Sequence, residues 1–215
     1  MTTLILLAGG IGSRMGASIP KQYLLLNQKP IALYSLEIFE KCPLITEIVV
    51  VCEPEYQHFF SGPVTFAKPG LRRQDSVYSG LLKSTQEIVL THDSARPFIE
   101  SKYLKPLIEA VHRTGAATLA TPVTSTIKQC NPNKIIEKTL DRSALWEIQT
   151  PQAMRRDLFF QAFEYIRKHN LEVTDDLSMV ESMGHPAEIV PCTPRNFKIT
   201  TPFDLIVAET LCATN

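Results

Sequence analysis

Short aliphatic runs alternate with longer amphipathic stretches through residues 4–121, and this alternation restricts what the chain can fold into more than any other feature. Leu4–Leu7, Glu47–Cys52, Val64–Ala67, Ile88–His92 and Ala116–Thr121 are short and nearly continuously apolar or β-branched, as strands buried on both faces must be. The intervening segments carry apolar residues at helical spacing. Leu104, Leu107, Ile108 and Val111 share one face of a stretch that stops at Gly115, a residue suited to end a helix. Strand and helix in alternation predict an α/β fold, with a doubly wound, mostly parallel twisted sheet. Ligands of such sheets sit beyond the carboxyl ends of the strands. The polar loops Ala8–Lys21 and Asp93–Pro97 both follow strands, so they are expected at one rim.

Residues 122–148 break the pattern. Val123–Lys128 and Ile135–Leu140 read as extended segments around the turn Asn131-Pro132-Asn133,. A β-hairpin arm at about 123–148 would have too little core of its own, so it is expected to pack on a second copy of the chain. Further on, Thr174 is expected to cap a helix running from Asp175 to Gly184, and Phe197–Ile199 reads as a short strand. Thr201-Pro202-Phe203-Asp204 has a cap, a Pro at the first helical position and an acid at the third. The 215 residues suit one domain, 1–215,.

Twenty-two Lys and Arg balance 22 Asp and Glu. A chain that held nucleic acid through its phosphates would carry a basic excess, so no nucleic-acid partner is expected, and any bound anion must be small and met by a local cluster. No apolar run approaches the ~18–20 residues of a membrane span, and the segment 1–8 lacks the basic start of a signal peptide. A soluble cytoplasmic protein with no membrane partner is expected. Five cysteines, scattered and never spaced as C-x-x-C, suggest neither a disulfide framework nor a zinc site.

The first strand opens into Ala8-Gly9-Gly10-Ile11-Gly12-Ser13-Arg14-Met15, followed by Pro20-Lys21-Gln22. Small residues let backbone N–H groups approach an anion. A dinucleotide fingerprint would need a third glycine where Met15 stands, and a P-loop would need Gly-Lys-Ser/Thr. The rival reading, a nicotinamide-dependent reductase, would use Glu53 as its ribose acid, but Glu53 lies about twice as far from the loop as the ~20 residues expected. A glycine loop carrying Arg14 and Lys21 suits a triphosphate. Asp93, at the end of the fourth strand, is placed either to hold Mg²⁺ or to cap the next turn with Arg96 as its ion partner. In Gly70-Leu71-Arg72-Arg73-Gln74-Asp75-Ser76, Ser76 is placed to read a base edge and Arg73 to hold the loop, or else Asp75 simply caps a helix. No nucleophile–His–acid set is evident, and attack of one phosphate on another needs none.

Taken together, Ala8-Gly9-Gly10-x-Gly12-x-Arg14-Met15, Pro20-Lys21-Gln22-Tyr23, Arg73-x-Asp75-Ser76-Val77, His92-Asp93-x-Ala95-Arg96-Pro97, Asp141-Arg142-x-x-Leu145-Trp146, Thr150-Pro151-Gln152, Thr174-Asp175 and Lys198-Ile199-Thr200-x-Pro202 resemble the polyol-phosphate cytidylyltransferases. Within them the Asp141–Trp146 motif resembles the methylerythritol-phosphate branch rather than the ribitol-phosphate branch. The resemblance implies a Rossmann-like nucleotidyltransferase that joins CTP to a polyol phosphate with Mg²⁺ and works as a homodimer through its arm. It implies catalytic roles for Arg14 and Lys21, nucleotide contacts from Ala8, Gly9, Gly10, Gly70, Arg73, Ser76 and Ser94, and a metal-side role for Asp93. It implies polyol-phosphate contacts from Arg96, Thr174 and Lys198, with Thr126 and Arg142 delivered by the arm into the neighbouring subunit. Four positions depart from the family pattern: Gly9 where Ala is frequent, Pro69 and Leu71 around Gly70, and Ser94 where Ala is usual.

Overall fold

The computed structural model describes residues 1–10, 15–16 and 19–213. The elements in chain order are β1 (Thr2–Leu7), β2 (Leu25–Leu26), β3 (Lys29–Pro30), α1 (Ile31–Glu40), β4 (Ile45–Val51), β5 (Val64–Ala67), α2 (Arg73–Leu81), β6 (Ile88–Asp93), α3 (Leu104–Thr114) and β7 (Ala116–Pro122). Then come β8 (Lys128–Cys130), β9 (Ile136–Thr139), β10 (Trp146–Arg155), α4 (Arg156–Lys168), α5 (Leu177–Glu181), β11 (Glu188–Pro191) and α6 (Pro202–Ala213).

Seven strands form one sheet in the order β11-β7-β10-β6-β1-β4-β5. Every neighbouring pair is parallel except those made by β10, which runs antiparallel to both β6 and β7. The expected doubly wound, mostly parallel sheet is therefore present. Side-chain alternation along β1 explains why it is apolar throughout: Leu4 and Leu6 enter a core with Phe39, Leu107 and Val111 on one face. Ile5 enters a second core with Val77, Leu81, Phe159 and Phe163 on the other,. Helix α3 ends where the sequence predicts. Gly115 takes φ 86° and donates its N–H to the Val111 carbonyl, a conformation that penalises any residue with a Cβ.

The chain leaves β1 for β4 and β5 on one side and returns to β6 on the other. This reversal is a topological switch point, and the register sets Leu7 of β1 opposite both Val51 of β4 and Asp93 of β6. The loops that follow these strands thus emerge side by side.

Outside the arm, two local expectations need correction, and one central strand, β10, carries no strand signal in the sequence. Its inward polar residues, Gln149, Thr150 and Gln152, together with Pro151, hide it from any search for apolar β-branched runs. Phe197–Ile199 is no strand, because the Ile199 N–H pairs with the Ala95 carbonyl in a loop instead of a ladder. Thr174 does not cap α5. Asp175 does, accepting the Ser178 N–H at 2.9 Å through Oδ1. The start of α6 follows expectation, with Asp204 Oδ2 accepting the N–H groups of Thr200 and Thr201.

Strands β8 and β9 form the expected hairpin as a separate two-stranded sheet, but its first strand starts only at Lys128, and residues 123–127, expected to be extended with it, carry no strand. Its turn is closed by Asn131, whose Oδ1 accepts the N–H groups of Asn133 and Ile135. Every residue of both strands is exposed, Ile136 to 60%.

Candidate active site

The loops after β1, β4, β5 and β6 enclose a cleft of about 500 Å³. A second lobe of about 450 Å³ adjoins it, lined by Arg96, Thr150, Gln152 and Thr174 among others. Arg73, Asp93 and Lys198 line both, so the two lobes meet at this charged group.

Asp93 is almost fully buried at the end of β6. Its Oδ2 accepts from Lys198 Nζ at 2.7 Å, its Oδ1 faces Arg73 Nε at 3.4 Å, and Arg96 Nε stands 4.0 Å from Oδ2. Burial alone raises the carboxyl's pKa, but the charges of Arg73, Lys198 and Arg96 outweigh it and hold Asp93 well below the ordinary carboxylate range,. The group is a fixed anion at any physiological pH. Arg96 reaches the Asn196 carbonyl through Nη1 at 2.8 Å, while its buried Nε has no hydrogen-bond partner among the described residues. An unsatisfied buried guanidinium donor beside an open lobe suits an anionic ligand.

Arg73 is fixed by a residue the sequence reading missed. Asp176 is buried, and its carboxylate receives Nη1 and Nη2 of Arg73 at 2.7 and 3.0 Å. The Thr91 hydroxyl donates to the same carboxylate at 2.5 Å, and the Asp176 N–H donates to Gln152 Oε1 at 2.8 Å. Burial pulls the pKa of Arg73 down, but Asp176 and Asp93 raise it above its ordinary value. Asp176 directly follows the quoted Thr174-Asp175 pair, and only that adjacency could have pointed to it.

His92 is sealed from solvent. Burial pushes its pKa down to about 4, so the ring is neutral. The pattern of partners assigns the tautomer: Nε2–H donates to the Arg96 carbonyl at 3.1 Å, and Nδ1 accepts from the Thr150 hydroxyl at 3.1 Å,. That hydroxyl in turn accepts the Asp93 N–H at 3.1 Å. His92 thereby ties β6 and the Asp93–Arg96 turn to β10. Both ring nitrogens are engaged, leaving no general base.

On the other side of the cleft, the Ala8 carbonyl accepts from Gln22 Nε2 at 2.7 Å and from Tyr23 Oη at 2.8 Å. Gln22 Nε2 also donates to the Gly10 carbonyl at 2.8 Å. Ala8 is thus buried beneath the loop and does not line the cleft. Gly9 and Gly10 do line it. At Gly10 an added Cβ would meet nothing within 4 Å among the described residues, which leaves room for a ligand at van der Waals distance from the backbone. Lys21 also lines the cleft, with Nζ donating to the Ile199 carbonyl at 2.6 Å. Gly70, Ser76 and Ser94 complete the wall. Ser76 Oγ accepts the Gly70 N–H at 3.0 Å, and the Ser94 hydroxyl donates to the Leu7 carbonyl at 2.8 Å. Asp75 caps α2 through the Arg72 N–H, as its position suggests.

Arg14 lies outside the described residues. Thr126 and Arg142 lie on the exposed arm and line neither lobe. Arg142 Nη1 donates to the Thr124 carbonyl at 2.7 Å. Among the described residues, no group of three or more His, Cys, Asp or Glu is placed to enclose a metal. The ionised Asp93 carboxylate borders both lobes beside Lys198 and Arg73, and a hard cation held there would complete its shell with phosphate oxygens and water. None of the helices among the described residues is long and apolar enough to cross a membrane.

Comparison with known proteins agrees with this geometry. The family model described as "IspD: 2-C-methyl-D-erythritol 4-phosphate cytidylyltransferase" matches residues 2–214. The chain is 48% identical to the chloroplastic 2-C-methyl-D-erythritol 4-phosphate cytidylyltransferase of Oryza sativa subsp. japonica, over 97% of this chain and 73% of the rice protein. It is 43% identical to the enzyme of the same name from Chlamydia pneumoniae, over 98% of each. Among solved structures, the Francisella tularensis cytidylyltransferase of that name superposes with a TM-score of 0.85 at 33% identity, covering 97% of this chain and 98% of that one.

Proposed function

The chain belongs to the 2-C-methyl-D-erythritol 4-phosphate cytidylyltransferase family, and from that premise we propose how its two-lobed cleft carries the reaction. The enzyme transfers the CMP moiety of CTP to 2-C-methyl-D-erythritol 4-phosphate, giving 4-diphosphocytidyl-2-C-methyl-D-erythritol and pyrophosphate. CTP takes the glycine-lined lobe, with its base toward Gly70 and Ser76 and its triphosphate toward Gly9, Gly10 and Lys21. The polyol phosphate takes the lobe of Arg96 and Thr174. Its phosphate oxygen attacks the α-phosphorus of CTP, and the bond from that phosphorus to the bridging oxygen breaks.

The observation that carries this reading is the sharing of Asp93, Arg73 and Lys198 between the lobes. Two phosphates that react must lie in contact, and their charge must be met where they meet. The attacking oxygen is already anionic, so the lack of a base beside it is no obstacle. Lys21 and Arg14 neutralise charge that builds on the α-phosphate and the leaving pyrophosphate. Lys198, Arg96 and Thr174 hold the polyol phosphate. Asp93 would hold Mg²⁺, which when bound neutralises triphosphate charge.

The chain acts as a homodimer in which the hairpin arm of one subunit brings Thr126 and Arg142 to the second lobe of its partner. The arm's full exposure supports this. The deciding experiment is pyrophosphate release from CTP with methylerythritol phosphate, with ribitol phosphate and with no acceptor. Release with the first alone is expected; release with ribitol phosphate alone would overturn the choice of acceptor.

A further inference from the structure

We propose that Pro69 is a positioning residue for the nucleotide and that Gly9 is its steric counterpart, so that positions 9 and 69 act as one exchangeable unit setting the width of the glycine-lined lobe. This rests on CTP as the occupant of that lobe. Gly9 and Gly10 are adjacent glycines with different reasons to be glycine. The described glycines with positive φ are Gly16, Gly62, Gly115 and Gly184, so the backbone of Gly9 is one that any L-residue can adopt. Space excludes a side chain there. A Cβ on Gly9 would stand 2.4 Å from Pro69 Cβ and 2.9 Å from Pro69 Cγ. At Gly10 no described residue stands in the way of a Cβ.

Neither side of the contact can yield. The pyrrolidine ring has no rotamer that would swing it aside. The loop carrying it is tethered by the Cys52 N–H to the Ala67 carbonyl at 3.1 Å and by the Gly70 N–H to Ser76 Oγ at 3.0 Å. Gly70 is itself pressed on Asp75, where a Cβ would meet Asp75 Cβ at 2.3 Å. On the facing side, the Ala8 N–H is bound to the Val51 carbonyl at 2.9 Å and the Ala8 carbonyl is held by Gln22 and Tyr23. Pro69 therefore rests on the Gly9 backbone, and this contact sets how far the phosphate side of the lobe stands from the base side at Gly70 and Ser76. A methyl at position 9 wedges the two apart. Removing the ring gives the methyl a place and restores the spacing.

The test is a cycle of Gly9→Ala, Pro69→Gly and the double variant. The readouts are KM for CTP, KM for the polyol phosphate, kcat and melting temperature. Gly9→Ala is expected to raise KM for CTP by about tenfold or more, in the range of coupling between touching residues, with KM for the polyol phosphate unchanged. The double variant is expected to bind CTP several-fold better than Gly9→Ala. A near-normal CTP constant in Gly9→Ala, or a double variant whose losses simply add, overturns the proposal. Should Gly9→Ala fail to fold, the double variant must fold and bind CTP, and an unfolded double variant overturns it equally. A wild-type chain indifferent to CTP would instead defeat the cytidylyltransferase reading, while the melting temperatures of the cycle would still decide the steric pair.

Discussion

The rim of the sheet and the hairpin arm both carry charged residues, but they secure them in opposite ways. At the rim each charge is held by partners far away in sequence. Asp93 meets Lys198 from the C-terminal loop and Arg73 from α2, and Arg73 is gripped by Asp176 just ahead of α5. In the arm the contacts are local: Asp141 accepts from Ser143, and Arg142 reaches Thr124 at the hairpin's own base. The rim is thus ordered by the fold of one chain before any substrate arrives, which is what electrostatic preorganisation requires. The arm is built as a hairpin whose two strands are fully exposed. The rim is tied together by long-range contacts, and the arm by contacts within itself; under the proposed dimer the arm of one subunit would serve the second lobe of the other.

Substitutions that separate catalysis, folding and assembly put this contrast at risk. The largest effect is expected for Lys21→Ala, which removes a charge from the cleft and should lower kcat by roughly 10²–10³-fold, far more than the loss of about 1–3 kcal/mol of stability with its bond to the Ile199 carbonyl would explain,. Steady-state pyrophosphate release checks it, and a near-normal rate would remove Lys21 from the mechanism. Next is Asp176→Asn. Breaking one side of a buried ion pair should cost about 4 kcal/mol of folding stability and reduce turnover as well, because Arg73 is released. Urea unfolding measures the first part. If stability is unchanged, the rim is not held from behind by Asp176.

A smaller effect concerns pH. His92 has its pKa depressed to about 4 in the folded chain, against about 6.5 unfolded. The unfolded state therefore binds more protons between these values, so stability is fully present above pH 6.5 and is lost as pH falls toward 4, by roughly 3 kcal/mol. Asp93, whose folded pKa is also depressed, adds its own loss only below its unfolded value near 4,. Unfolding free energies across this range should slope in the wild type and flatten in His92→Asn.

The smallest effect on the isolated fold is expected in the arm. Ile136→Ser should leave folding within about 0.5 kcal/mol yet weaken the dimer, as sedimentation would show. Arg142→Ala should raise KM for the polyol phosphate more than that for CTP. Mixed dimers of Arg142→Ala and Lys21→Ala chains should regain activity, and a mixture that stays silent would place Arg142 outside the partner's cleft.

The legible part of the protein and the hidden part differ in physical kind. Leu4–Leu7, the face of Leu104, Leu107 and Val111, and the stop at Gly115 could be read directly, because periodicity and chain sterics act within a few residues. The glycine loop, Lys21, Asp93 and the hairpin around Asn131 were legible for the same reason. Strand β10 was not. Gln149, Thr150 and Gln152 are buried there because they hydrogen-bond the site, and burial of polar groups is justified only by partners that local sequence does not display. Asp176 was hidden likewise, since nothing adjacent to it names Arg73.

The amino-acid sequence alone determined the alternating architecture, the rim at which the polar loops gather and the presence of an arm, because each follows from short-range backbone and side-chain preferences. The tertiary structure alone decided that Asp93, Arg73 and Lys198 stand between two lobes, that Asp176 and His92 hold them there, and that Gly9 has no side chain on account of Pro69. Those facts depend on which distant segments the sheet order brings into contact, and hydrogen bonds, ion pairs and steric exclusion act only at that range.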